Sequence, residues 1–182
     1  MRAERAKSSA PMDISAHIRT VPDFPKPGIL FYDISTLLAN HLAYRAAIER
    51  MAGIAARYRP DVLVGIESRG FIFAAPLALH MDRGFVMVRK VGKLPGAVVS
   101  HDYDLEYGSD TVQIVEDLIP KGARAVLIDD LIATGGTAEA SIQLLRKIGA
   151  EPVAAVFLIE LDGLGGRGRL SVPVETVLTY PA

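Results

Sequence analysis

One stretch constrains this chain more than any other. It is an apolar run that ends in two carboxylates and breaks into a glycine–threonine turn, Val126-Leu-Ile-Asp-Asp-Leu-Ile-Ala-Thr-Gly-Gly-Thr137. Arg124 to Asp129 reads as a buried strand, and the spacing of Ala138, Ile142, Leu145 and Ile148 predicts a helix over 136–148. Glu139 in its first turn, with Lys147 and Gly149 at its end, suits the helix dipole and a C-terminal cap. The same alternation recurs along the chain. A strand over 61–66 precedes a small-residue helix over 70–81, and further apolar runs occupy 85–88, 153–159 and 174–179. Strands alternating with helices predict an α/β fold with a parallel sheet of about five strands covered on both faces. In such a sheet ligands sit beyond the carboxyl ends of the strands, so the loops after 66, 88 and 129 should line one crevice.

The rest of the chain is less regular. Asp13 to Thr20 reads as a short helix, and Pro22, Pro25, Pro27 and Gly28 force a loop. Residues 42–58 form an amphipathic helix with Ala47, Met51, Ile54, Ala55 and Tyr58 on one face. Residues 89–108 are polar and glycine-containing, with room for a hairpin.

Length and composition exclude several classes. A chain of 182 residues, half of them hydrophobic, makes one domain, 1–182, able to build its own core. With no cysteine it forms no disulfide or zinc-thiolate site. A net charge of −1 argues against a general nucleic-acid or membrane coat. No apolar run reaches the roughly 18 residues of a membrane span. Residues 1–11 read as a flexible tail without the apolar segment of a secretory signal. The expectation is a soluble, cytoplasmic protein.

Ala133-Thr134-Gly135-Gly136-Thr137 is suited to a terminal phosphate. Glycines let the backbone approach an anion, the first N–H groups of the helix have no internal partner, and the threonines add hydroxyl donors. The alternative is a tight turn with threonine caps. Asp129 and Asp130 repel each other and need a partner, such as diol hydroxyls or a metal. A ribose 5-phosphate offers both groups at the right separation. Glu67-Ser68-Arg69-Gly70 follows the strand 61–66 and brings a guanidinium fork. Arg89, Lys90 and Lys93 place three cations within five residues, either a solvated basic loop or a clamp for a multiply charged substrate.

Val126 to Thr137 resembles the phosphoribosyl pyrophosphate signature of type I phosphoribosyltransferases. Three more blocks resemble the adenine branch of that family: Phe24-Pro-Lys-Pro-Gly-Ile-Leu-Phe-Tyr-Asp-Ile-Ser35, Gly65-Ile-Glu-Ser-Arg-Gly-Phe71, and Arg89-Lys-Val-Gly-Lys-Leu-Pro95 with Tyr103-Asp-Leu-Glu-Tyr-Gly108. The resemblance implies the type I phosphoribosyltransferase fold, its sheet flanked by helices, with a small hood from about 21–38 and 161–182. It implies that adenine and phosphoribosyl pyrophosphate give AMP and pyrophosphate, with magnesium carried by the substrate and no direct protein ligand, in a cytoplasmic homodimer. By the same resemblance Glu106 is the general acid/base, with Tyr107 beside it, and Asp129 and Asp130 hold the ribose. Ala133 to Thr137 would hold the 5-phosphate, and Glu67, Ser68, Arg69, Arg89, Lys90 and Lys93 the pyrophosphate. A cis peptide is expected between Glu67 and Ser68. Leu30, Phe31 and Leu161 would hold the base. Tyr32 departs from the family pattern, which carries arginine there.

Other motifs carry less. Gly163-Leu-Gly-Gly-Arg-Gly168 matches a dinucleotide fingerprint but has no helix, second strand or ribose-binding acid after it. Ser100-His101-Asp102 are adjacent, which is not triad geometry. His17, His41, His80 and His101 lack metal-ligand spacing. Two alternatives remain open: a non-catalytic sensor on the same fold, and a sibling transferase for a 6-oxopurine or orotate.

Overall fold

The computed structural model describes residues 12–104 and 108–182, in two compact units that meet in sequence between Ala47 and Ile48. In the first unit strands β1 (Arg19–Pro22) and β2 (Leu30–Asp33) pair antiparallel, with Thr20 opposite Tyr32. Helix α1 (Ser35–Ala39) follows, and α2 (His41–Ala56) carries the chain onward. The helix expected over 13–20 is one 3₁₀ turn, Ser15–His17, followed by β1. Arg19 and Thr20 pair with β2 instead, and Asp33 accepts a hydrogen bond from Arg19 Nε at 3.1 Å. Tyr32, at the family's arginine position, is buried.

In the second unit the order is β3 (Val62–Ile66), α3 (Arg69–His80), β4 (Gly84–Lys90), β5 (Val98–Asp104), β6 (Ser109–Val115), β7 (Arg124–Ile132), α4 (Gly136–Lys147), β8 (Glu151–Asp162), α5 (Gly166–Arg169) and β9 (Val174–Pro181). The sheet runs β5-β6-β4-β3-β7-β8-β9. Its five strands from β4 to β9 are parallel, as the alternation predicts. The hairpin of β5 and β6 extends it antiparallel through β4. The last segment, expected in a hood, adds β9 to this sheet.

Every residue of β3 is buried, which suits an uninterrupted apolar run in a parallel sheet. Val62, Val64, Ile66, Val88 and Leu127 share one core cluster with Ala138, Ile142 and Leu145 of α4. On the other side of β3, Ala74 of α3 lies against Gly65. The sheet is thus sandwiched between helices, and β3, β4 and β7 end at the same edge.

Candidate active site

That edge carries the chemistry. A pocket of about 200 Å³ lies there, lined by Asp129, Ala133, Thr134, Gly135, Gly136 and Thr137, with Phe157 from β8. Residues 133–137 thus line one pocket, and one of the twin aspartates stands in its wall. Gly135 caps α4 in the left-handed region, φ 75°, so a residue with a side chain is strained there. The fold closes on the cradle from behind. A Cβ on Gly166 would lie 2.1 Å from the Ala133 carbonyl oxygen, and one on Gly135 would lie 2.8 Å from the Gly166 carbonyl oxygen. Gly166 is thus the prop of the turn 133–137. Sequence reasoning set the run 163–168 aside as a dinucleotide decoy and missed this contact.

The twin aspartates sit in contrasting surroundings. Burial pushes the Asp129 carboxyl well above the usual carboxylate range, and the charge of Asp130 adds to the effect. Burial also raises Asp130, against the opposing pull of Arg69. Arg69 Nε stands 3.0 Å from Asp130 Oδ2 as an ion pair. That oxygen is buried and has no hydrogen-bond partner. α3 begins close against this pair: a Cβ on Gly70 would lie 2.7 Å from the Ile128 carbonyl oxygen and 3.0 Å from Asp129 Oδ1.

The basic blocks gather round Glu67. Arg89 Nη2 donates to its Oε1 at 3.0 Å, and the Lys90 N–H to its Oε2 at 2.9 Å. The hydrogen bond from Arg89 holds the Glu67 carboxyl below its ordinary range. Arg89 Nη1 also donates to the Lys93 carbonyl, 2.9 Å away, which shapes the turn after β4. Its guanidinium stands over the Phe71 ring, 5.9 Å from the centroid. Lys90 Nζ pairs with Asp110 and donates to Tyr103 Oη at 2.7 Å. Glu67 braces the Arg89 guanidinium and the Lys90 backbone, and Asp110 and Tyr103 are partners of the Lys90 ammonium that sequence reasoning did not find. The peptide bond between Glu67 and Ser68 is cis, as the resemblance implies. Ser68 and Lys93 are exposed.

Leu30, exposed, and Phe31, half-buried with its ring edge-on to Phe24, lie on β2 in the first unit. Leu161 lies in the second unit, opposite Tyr180 near the end of β8. Glu106 and Tyr107 lie outside the described residues.

Known proteins carry the same pattern. A family model described as a phosphoribosyl transferase domain matches residues 33–178. The adenine phosphoribosyltransferase of Rhodospirillum centenum is 60% identical over 169 residues, 93% of this chain and 99% of the relative. The solved adenine phosphoribosyltransferase of Rhodothermus marinus matches with a TM-score of 0.86 at 51% identity, covering 92% of this chain and 96% of its own. That of Saccharomyces cerevisiae, complexed with an imino-altritol bisphosphate and adenine, matches with a TM-score of 0.85 at 39% identity, covering 90% and 96%.

Proposed function

Because the chain belongs to the adenine branch of the phosphoribosyltransferases, which joins adenine to phosphoribosyl pyrophosphate and gives AMP and pyrophosphate, we propose how its own residues divide that work. The observation that carries the proposal is the pocket in which Asp129 and the turn 133–137 share one wall. The turn holds the 5-phosphate on backbone N–H groups and threonine hydroxyls. Binding energy from this remote group then fixes the anomeric carbon. Asp129 and Asp130 take the ribose hydroxyls and face the positive charge that develops as the glycosidic bond to pyrophosphate breaks.

Arg69, Arg89, Lys90 and Lys93 receive the departing diphosphate, with Glu67 and Ser68 shaping the loop that presents them. In the described structure Arg69 is engaged by Asp130. An incoming diphosphate offers it a second anion, and the ribose hydroxyls take over Asp130.

Leu30, Phe31 and Leu161 hold the base by analogy with the family. Glu106, assigned from the family motif, moves the proton at the adenine ring. Asp129 and Asp130 are assigned to the ribose and Asp130 Oδ2 is paired with Arg69, so magnesium would be held by substrate oxygens and not by these carboxylates. When bound with the substrate, magnesium would supply neutralisation of diphosphate charge beside Arg69, Arg89 and Lys90. We also propose that the chain works as a homodimer in the cytoplasm. Among the described residues no helix is long and apolar enough to cross a membrane.

The test is a product assay with phosphoribosyl pyrophosphate, magnesium and each of adenine, hypoxanthine, guanine and orotate. Release of AMP and pyrophosphate with the highest kcat/KM on adenine is expected. A preference for any other base overturns the base assignment.

A further inference from the structure

The hairpin of β5 and β6, which holds Lys90 through Asp110 and Tyr103, also reaches the turn 133–137. Tyr103 Oη on β5 lies 3.0 Å from Thr137 Oγ1. It accepts a hydrogen bond from Lys90 Nζ at 2.7 Å and stands 3.3 Å from Asp110 Oδ2. At the far end of α4, Lys147 Nζ donates to the Ser100 carbonyl at 2.8 Å, so β5 is held along α4 from Lys147 to Thr137.

A proton count gives this contact a direction. The Lys90 ammonium can only donate, so Tyr103 Oη is its acceptor. Tyr103 then has one proton and two possible acceptors, Asp110 and Thr137. Asp110 is already paired with Lys90, and Thr137 is the closer of the two. If Tyr103 donates to Asp110, the Thr137 proton must point back at Tyr103 and the turn loses a donor. If Tyr103 donates to Thr137 Oγ1, the Thr137 proton is free for an anion in the pocket. A phosphate in the turn accepts only, and so favours the second arrangement.

We propose that Tyr103 is a positioning residue that turns the hydroxyl proton of Thr137 toward the sugar 5-phosphate. The inference rests on the reading of residues 133–137 as the phosphate site. It adds an aromatic hydroxyl from the hairpin to a grip otherwise made by the turn alone.

The experiment measures binding of ribose 5-phosphate and of pyrophosphate by calorimetry, and KM for both substrates. It uses the full chain as wild type, Tyr103→Phe, Thr137→Val and the double variant. Thr137→Val is expected to weaken ribose 5-phosphate about tenfold, the size of one hydrogen bond to a charged group. Tyr103→Phe should weaken it about threefold to tenfold, and the double variant no more than Thr137→Val alone. Pyrophosphate affinity and KM for adenine should change less than ribose 5-phosphate affinity in every variant, which a general loosening of the hairpin would not allow. The value of kcat should fall with the lost phosphate grip, because that grip positions the reacting carbon. If Thr137→Val weakens binding while Tyr103→Phe does not, or if the two losses add, the positioning role is overturned and the phosphate reading stands. If Thr137→Val binds ribose 5-phosphate as tightly as wild type, the hydroxyl part of the phosphate reading falls, and the role of Tyr103 falls with it.

Discussion

The two ends of the proposed site, the turn 133–137 and the diphosphate end, are prepared for anions in opposite ways. At the turn 133–137 the donors are backbone N–H groups at the start of α4, fixed in place and free of internal partners within the helix. At the diphosphate end the donors are side chains, and three of them already hold a carboxylate: Arg69 with Asp130, Arg89 with Glu67, Lys90 with Asp110. The first end is preformed, and a phosphate enters it without displacing anything charged. At the second, in the proposed reading, substrate anions exchange with internal ones. Binding there costs the old pairs, and each cation has a carboxylate to return to when pyrophosphate departs. A site that must grip and then release its leaving group gains from such an exchange.

The sharpest way to break this contrast is at the prop of the turn. Gly166→Ala puts a methyl group where 2.1 Å separates it from the Ala133 carbonyl oxygen, so the backbone must move. Overpacking of this kind costs roughly 1–3 kcal/mol, and ribose 5-phosphate affinity is expected to fall up to about a hundredfold. Pyrophosphate affinity should hold, and it doubles as the check on folding. Calorimetry with the two ligands separates the ends; parallel loss of both would mean that they are not independent.

Next in size is Asp129→Asn. Folding raises the pKa of Asp129, so the folded chain binds more proton than the unfolded one. Stability therefore falls as pH rises from the ordinary value of 3.8 through the raised one. The amide removes that loss. Above this window Tm is expected to exceed wild type by at least about 2 °C, and the gap should close below the ordinary carboxylate range. Turnover should drop at least about tenfold, since the ribose loses an ionisable partner beside the reacting carbon. A variant less stable than wild type at neutral pH would show that Asp129 is not stored at a cost.

The legibility of the two ends in the sequence differs for the same physical reason. The turn is local: strand, carboxylates, glycines and helix follow one another, and residues 126–137 fold much as their pattern suggests. Most of the parallel strands were legible because buried strands are unbroken apolar runs. The diphosphate end is assembled from distant residues. Lys90 and Asp110 are 20 positions apart, and Arg89 and Glu67 are 22 apart. No local window reveals such pairs, so the cations were legible and their partners were not. β6 was missed for a related reason: its burial alternates and its identity comes from pairing with β4 and β5. Arg19 and Thr20, the first half of β1, read as the end of a helix because pairing with β2 overrides a weak local period.

A third variant tests the exchange itself. Arg89→Gln removes one cation and strands the Glu67 carboxylate, which the arginine keeps ionised. Loss of about 1–2 kcal/mol in stability is expected, with weaker pyrophosphate binding. Adding Glu67→Gln should restore much of the stability but none of the affinity, because the amide needs no cation. Chemical denaturation of the two variants reads the first quantity and calorimetry the second. Equal stability in both would show that Glu67 is not braced by Arg89.

The smallest effect belongs to the cation that breaks the pattern. The ammonium of Lys93 is exposed and makes no hydrogen bond or ion pair among the described residues; only its carbonyl is engaged, by Arg89. It has no internal anion to leave, and being solvated it has little to gain from a new one. Lys93→Ala should change stability by less than about 0.5 kcal/mol. It should weaken pyrophosphate binding by no more than about threefold, by a long-range attraction that salt screens. Titrations at low and high ionic strength decide the matter: the deficit should disappear at high salt, whereas that of Arg89→Gln should persist. If Lys93→Ala costs as much as Arg89→Gln and keeps its cost in salt, internal pairing is not what prepares a cation for the diphosphate, and the contrast between the two ends reduces to one between backbone and side chain.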